Sequence, residues 1–462
     1  MANRFESFQE KRMVIFGEMV RRYWNGKLNN KEDLSILAAE IRDKYGFLDE
    51  DMPFIKDHIR VAMGLDPKAG DDFDDEITLM KKTWEIGPPV IAKIEGPCKY
   101  CEEEGRMCRE SCKYESHVYN RTNGPVIVNG KCLSCGQCVT DCDFGALADK
   151  IEFLPVIDLL KNKKYPVYAA VAPAIAGQLG DNITMGQLRT AFKWMGFADM
   201  IEVAMFADIL TIKEAFEFNH LVKTTEDFFI TSCCCPVWFN MTKKNYEELY
   251  QHMSPSVSPM IAAGRILKKL YSDARVIFFA PCIAKKAEVK EPELKGAIDF
   301  VINLRELKEI FKALEIDPAD LPGDEKDQAS LGGRFYARTG GVSFSVKTVV
   351  NRLEPSRVIK LNAKKVDGVA DCKKILETLA NKEVNANFIE GMGCVGGCVG
   401  GPRTNLEVDK ATRIVNEFAE DSLIMTPFDN LNVMKILKEL GIERIEDIMK
   451  QEELVGLLTR SK

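Results

Sequence analysis

The chain has 462 residues, 46% of them apolar, and carries 63 Lys and Arg against 70 Asp and Glu, a formal charge of −7. That balance argues against a nucleic-acid binder, whose domain is usually basic, and no apolar run reaches the roughly 18 residues of a membrane span. The opening MANRFESFQEKRMVIFGEMV mixes charge into every turn and lacks the apolar core of a signal peptide, so 15 cysteines point to cytoplasmic metal binding or catalysis rather than to disulfides.

Residues 1–90 read as a helical N-terminal extension. Asn30 suits an N-cap with Asp33 at N3, and Leu34, Leu37, Ala38 and Ile41 follow on one face. No catalytic pattern occurs there, and packing or docking is its expected role.

Residues 91–155 change to short segments punctuated by Gly, Pro and Cys. Such a stretch has too little apolar surface to fold alone, and metal ligation would supply the missing stability. Cys98, Cys101, Cys108 and Cys112 run C-x2-C-x6-C-x3-C; Cys132, Cys135, Cys138 and Cys142 run C-x2-C-x2-C-x3-C, the iron–sulfur spacing of bacterial ferredoxins. The duplication implies two [4Fe–4S] clusters, each taking three ligands from one run and the fourth from the other. The expected sets are Cys98, Cys101, Cys108 with Cys142, and Cys132, Cys135, Cys138 with Cys112. The first run departs from the usual spacing in its x6, and no Pro follows either fourth cysteine.

From 156 to 462, apolar β-like runs (165–171, 227–230, 275–279 and 387–389) alternate with helical stretches such as 185–195 and 303–314. That alternation predicts an α/β architecture with largely parallel strands. Each strand runs into a distinctive end: Ala172-Pro173, Cys233-Cys234-Cys235-Pro236, Ala280-Pro281-Cys282 and Met392-Gly393-Cys394. In open α/β sheets ligands bind beyond the carboxyl ends of the strands, so these cysteine groups are expected to converge. Cys282, Cys394 and Cys398 supply three of the four thiolates of a cubane, and the triplet must supply the fourth. Adjacent side chains on extended backbone point to opposite faces, so at least one triplet thiol stays beside the metal with a mobile proton.

These residues resemble a known family. Thr231-Ser232-Cys233-Cys234-Cys235-Pro236-Val237-Trp238 is similar to the TSCCPGW signature of [FeFe]-hydrogenases, in a triple-cysteine, group B-like form. Pro281-Cys282-x2-Lys285-x2-Glu288 matches their PCxxKxxE, and the run from Phe388 to Cys398 resembles their FxExMACxxGC. The module order agrees as well, over about residues 91 to 402: a two-cluster ferredoxin-like domain, then an α/β hydrogen-activating domain of two lobes with a helical tail.

The resemblance implies that Cys235, Cys282, Cys394 and Cys398 bind the cubane of an H-cluster, Cys398 also bridging to a di-iron unit with CO, cyanide and azadithiolate ligands. It makes Cys234 the thiol facing the distal iron and Lys285 the ammonium holding a cyanide. Pro173 and Ala174 match the turn around the other cyanide, and Met260, Tyr336 and Met392 fall at pocket positions. Glu214, Glu217 and Ser254 align with a proton relay running Glu217, Ser254, Glu214, Cys234. A ferredoxin or similar carrier and hydrogenase maturation proteins are the implied partners. Departures are Ala280 for a usual Met, Met260 for Gln, Tyr336 for Phe, Gly393 for Ala, and a stretch after Cys398 shorter than the family's. They bear on potential, rate and bias rather than on ligation. Two alternatives stand beside this reading: a low-turnover hydrogen sensor, and a non-hydrogenase iron–sulfur assembly homologue. Cys372 reads as a structural thiol, Cys233 as a spare one, and the four histidines form no ligand motif.

Overall fold

The structure, a computed structural model, describes residues 4–85, 87, 89–101, 107–114, 117–120, 124–128, 130–231 and 234–460. Ser232 and Cys233 of the cysteine signature therefore lie outside the described residues. The chain forms two compact units: Met1–Lys164 with Cys282–Lys290 and Phe300–Asp317, and Tyr165–Pro281 with Glu291–Asp299 and Pro318–Lys462.

The first unit holds the helical extension and the cysteine-rich segment together. Its helix Lys31–Tyr45 starts where the Asn30 side chain accepts from the Asp33 amide at 2.9 Å, and stops at Gly46, whose φ of 67° an L side chain resists. Leu34, Leu37, Ala38 and Ile41 are its buried face. Phe8, Phe54 and the buried His58 pack with their rings tilted or edge-on to one another, and His58 Nε2 meets the Gly145 carbonyl at 2.9 Å, three residues past Cys142. Two antiparallel strand pairs frame the cysteines, Ile91–Lys93 with Leu147–Asp149 and His117–Asn120 with Gly124–Ile127. A buried charge network ties the parts: Asp149 accepts from Arg12 at 3.0 Å and from Lys286 at 3.1 Å, and Lys286 also reaches Glu306 at 2.5 Å. Each buried charge thus has an opposite partner, without which burial would be prohibitive.

In the second unit all the strand pairings that link its named strands are parallel. Val167–Val171 pairs with Asp199–Glu202 on one side and Arg275–Phe279 on the other, while Phe388–Met392 lies between Ala363–Asp367 and Phe229–Ile230. Parallel strands require crossover connections, and helices supply them, as Val369–Ala380 does between Ala363–Asp367 and Phe388–Met392. The chain is thus the α/β fold with parallel sheets that the alternation implied.

Several strands differ in extent from the sequence reading. The run at 227–230 forms a strand only over Phe229–Ile230, and the one at 387–389 extends to Met392. Asp199–Glu202 and Ala363–Asp367 were not anticipated. The first is too polar and short to stand out, and the second is an edge strand whose Lys364 and Lys365 stay exposed, the usual guard of an open edge. Among the described residues no helix is long and apolar enough to cross a membrane.

Candidate metal centres and proton path

In the first unit the cysteine thiols gather into neighbouring sets. Burial pushes Cys142 up to about 12, with the Cys98 and Cys108 thiols adding to the rise. Cys98 is raised by burial to about 11, against Lys93, with Cys108 and Cys101 beside it. Cys135 is pushed up to about 12 by burial, and its thiol neighbours are Cys132, Cys112 and Cys282. Cys138, held well above the usual thiol range by burial, senses Cys135, Cys132, Cys112 and Cys108. Cys142 therefore stands with Cys98 and Cys108, and Cys112 with Cys132, Cys135 and Cys138; Cys108 also reaches Cys138, so the sets adjoin. None of the fourteen described cysteines is joined in a disulfide. Neighbouring thiols with their protons held on by burial are a soft donor type that fits iron–sulfur clusters, whose binding expels those protons.

Cys282 belongs to the same unit and adjoins Cys135. Its neighbour Ile283 packs in one apolar cluster with Cys138, Val139 and Leu147. Three residues on, Lys285 is buried and its Nζ donates to Glu288 Oε2 at 2.7 Å, one helical turn away. The spacing K-x2-E thereby gives this buried amine an opposite partner one turn away.

In the second unit the signatures meet backbone to backbone. Phe229 and Ile230 are in register with Phe388 and Ile389, and Trp238 Nε1 returns to donate to the Thr231 carbonyl at 2.9 Å. Cys235 is the N-cap of helix Pro236–Asn245, with Pro236 at N1 where a missing N–H costs nothing. Its Sγ accepts from the Gly393 amide at 3.2 Å, and an added Cβ at Gly393 would fall 2.6 Å from Val237 Cβ. Gly393 in place of the family's Ala thus permits this close approach. The thiol of Cys234 instead lies 3.6 Å from Met392 Sδ, so the two adjacent cysteines have separate partners.

The loop carrying Cys394 and Cys398 is held against Tyr336–Gly341. Val399 N donates to the Ala337 carbonyl at 3.0 Å and Thr339 N to that of Gly396 at 3.1 Å. Gly397, at φ 90°, allows the Thr339 amide within 2.7 Å of where a Cβ would sit. Glu390, the acid of the third signature, is buried and accepts from the amides of Gly340 at 2.7 Å and Ser343 at 2.8 Å. Burial raises its carboxyl, and those amides oppose the rise. Ala174, in the turn Pro173–Ile175, shares a buried cluster with Ala337 and Val399, against which Cys398 packs. Pro281, which precedes Cys282, accepts from the Arg403 amide at 3.1 Å. Met260 is buried at the start of helix Pro259–Leu270, and the buried Tyr336 hydroxyl meets Thr211 Oγ1 at 2.8 Å.

The proposed relay residues lie on or beside one helix, Ala204–Leu221. Glu214 and Glu217 are both buried there. Glu217 Oε2 accepts from Ser254 Oγ at 2.6 Å, and Ser254 is brought alongside by its amide, which donates to the Ile230 carbonyl at 2.8 Å. Glu214 accepts from Thr231 Oγ1 at 2.7 and 3.0 Å. Thr231 and Lys213 escaped the sequence reading. Lys213 is buried, pairs with Glu217 and donates to Ser256 Oγ at 2.8 Å. Its i, i+4 spacing to Glu217 was the available signal; Thr231 offered none beyond opening the cysteine signature.

The family model described as iron only hydrogenase large subunit, C-terminal domain, matches residues 165–402, more than half of the chain. The NADP-reducing hydrogenase subunit HndD of Solidesulfovibrio fructosivorans is 28% identical over 378 residues, 69% of this chain and 64% of that protein. Iron hydrogenase 1 of Clostridium pasteurianum is 26% identical over 62% of this chain and 65% of its own length, so the chain spans under two thirds of either relative. Over 107 residues, 21% of each chain, the cytosolic Fe-S cluster assembly factor NAR1 homolog of Schizosaccharomyces japonicus is 30% identical. Among solved structures, the [FeFe]-hydrogenase HydA(deltaEFG) shares the fold at a TM-score of 0.55 and 20% identity, covering 66% of this chain and 97% of that one. With the model match covering the parallel strands and all three signatures, the chain belongs to the iron-only, or [FeFe], hydrogenase family.

Proposed function

We propose that this protein interconverts molecular hydrogen with two protons and two electrons at an H-cluster, and passes the electrons through two [4Fe–4S] clusters to a ferredoxin-type carrier. Iron–sulfur clusters and the H-cluster are typical of the family. In this reading Cys235, Cys282, Cys394 and Cys398 would hold the H-cluster, and the two thiol sets of the first unit would hold the accessory clusters. When bound, the di-iron unit supplies the polarisation of hydrogen and the first base. Pro173, Ala174, Met260, Tyr336 and Met392 shape the pocket and exclude water. Lys285, paired with Glu288, would orient an anionic ligand.

Proton movement is the chain's own work. Cys234 Sγ hands its proton on, Glu214 and then Ser254 and Glu217 carry it outward, and Lys213 holds the outer carboxylate in place. A relay needs each group within hydrogen-bond reach of the next. The observation that carries the proposal is the pair of buried carboxylates on one helix, each hydroxyl-bonded, Glu214 to Thr231 and Glu217 to Ser254. An assembly scaffold, favoured by the local likeness to a NAR1 homolog, has no use for a pair of buried, hydroxyl-bonded acids on one helix. The adjacency of Cys135 and Cys282 likewise supports an electron path between the cubane and the accessory clusters.

Maturation proteins that deliver the di-iron unit and a cytoplasmic setting complete the proposal. Infrared spectroscopy of the matured protein under hydrogen, with a hydrogen uptake and evolution assay on the same sample, tests it. Bands of iron-bound CO and cyanide together with turnover are expected. An iron-replete sample with neither would replace this reading with the scaffold one.

A further inference from the structure

The helix Val369–Ala380 carries a thiol that neither cluster ligation nor the relay uses. Cys372 lies in its first turn, fully buried, and its Sγ donates to the Met392 carbonyl at 3.3 Å. The same peptide unit that ends in this carbonyl begins the next residue, and its N–H, that of Gly393, donates to Cys235 Sγ at 3.2 Å. Two hydrogen bonds therefore run in series through one peptide, from a thiol proton to the sulfur assigned to the cubane. The strand before this helix grips the same loop a second time, since Asp367 Oδ2 accepts from the Gly396 amide at 3.1 Å.

A carbonyl that accepts a hydrogen bond makes its own N–H a better donor, because bonds in series polarise one another. Hydrogen bonds to cluster sulfurs tune the potential, and they favour the reduced, more negative cluster. We propose that Cys372 is a positioning residue for the cubane: its S–H orients and polarises the Met392–Gly393 peptide, strengthens the bond to Cys235 Sγ, and raises the potential at which the cubane accepts an electron. This rests on the reading of Cys235 as a cubane ligand. Gly393 belongs to the same device, because the close approach to Val237 that its missing Cβ permits brings the amide onto the sulfur.

The test is a potentiometric titration of the matured full-length protein, followed by electron paramagnetic resonance, comparing wild type with Cys372→Ala, Cys372→Val and Cys372→Ser. Iron content and infrared bands are measured on the same samples. Val keeps the volume without a donor, so it guards against a cavity effect in the Ala variant; Ser keeps an O–H. One cluster wave is expected at lower potential in Ala and Val, and close to wild type in Ser, with equal iron in all four. Ala and Val waves that coincide with wild type, or a Ser wave displaced as far as theirs, overturn the proposal. A shift in protein lacking CO and cyanide bands sustains it while sinking the hydrogenase reading; bands without a shift do the reverse.

Discussion

Cys234 and Cys235 are neighbours in sequence with opposite surroundings, and that contrast separates chemistry from ligation at single residues. Cys235 stands at the N-cap of a helix and takes an amide hydrogen bond on its sulfur. Cys234 has its Sγ 3.6 Å from the Met392 thioether, a weak acceptor. Replacing Cys234 by Ala is expected to leave iron content and infrared bands in place while turnover falls by about 10²- to 10⁴-fold, the usual worth of a positioned proton donor. Replacing Cys235 by Ala is expected to remove iron itself. Turnover that is tiny in both wild type and Cys234→Ala protein, with bands present, would instead identify a sensor. Glu214→Gln belongs to the same series: it keeps an acceptor for Thr231 but takes no proton, so it should follow Cys234→Ala in rate and wild type in iron.

The helix Ala204–Leu221 makes a different case, because its buried face is not only apolar. Asp208, Thr211, Lys213, Glu214 and Glu217 are all buried on it. Asp208 accepts from the amide and hydroxyl of Ser330 and from Asn430 Nδ2 at 3.0 Å, yet burial outweighs these bonds and pushes its carboxyl up to about 6. A carboxyl raised above its unfolded value binds more protons folded than unfolded. Its contribution is therefore fullest below pH 3.8 and is lost as pH rises through about 6. Relative to Asp208→Asn, wild-type stability should fall by roughly 1.3 kcal/mol between pH 5 and pH 7, from about 1.4 kcal/mol per pKa unit. Denaturant midpoints across that range read it, and parallel profiles for the two proteins would refute it. Such a helix explains why part of the site is hidden from sequence. Cysteine spacing is readable because ligation geometry fixes it along the chain. The hydroxyl of Thr231, the amides that hold Glu390 and the carbonyl that accepts from the Cys372 thiol are fixed only when distant segments pack. Ala363–Asp367 escaped for a related reason: as an edge strand it keeps its lysines in water and so breaks the apolar pattern.

Across the whole molecule, the two units are built on different sources of stability. The second has buried strands such as Val167–Val171 and Phe388–Met392 within a large, mainly apolar core. The cysteine-rich part of the first has a small cluster of Val90, Ile91, Val139, Leu147 and Ile283, with Cys138 as a member. A core that counts a ligand-bearing cysteine among its few side chains depends on the metal, since binding energy is then folding energy. Removing iron with a chelator under reducing, oxygen-free conditions should therefore expose the amides of Ile91–Lys93 and Leu147–Asp149 to hydrogen exchange, while those of Val167–Val171 and Arg275–Phe279 keep their protection. The pH dependence has a definite sign. Thiols raised to about 11 or 12 by burial regain their protons when iron departs, so each lost ligand consumes one. Iron loss at a fixed chelator concentration should consequently be more complete at pH 6 than at pH 8. Equal loss at both, or unaltered protection of the two short strands after iron is gone, would mean that the helices packed behind them suffice to hold the cysteine-rich segment without its metal.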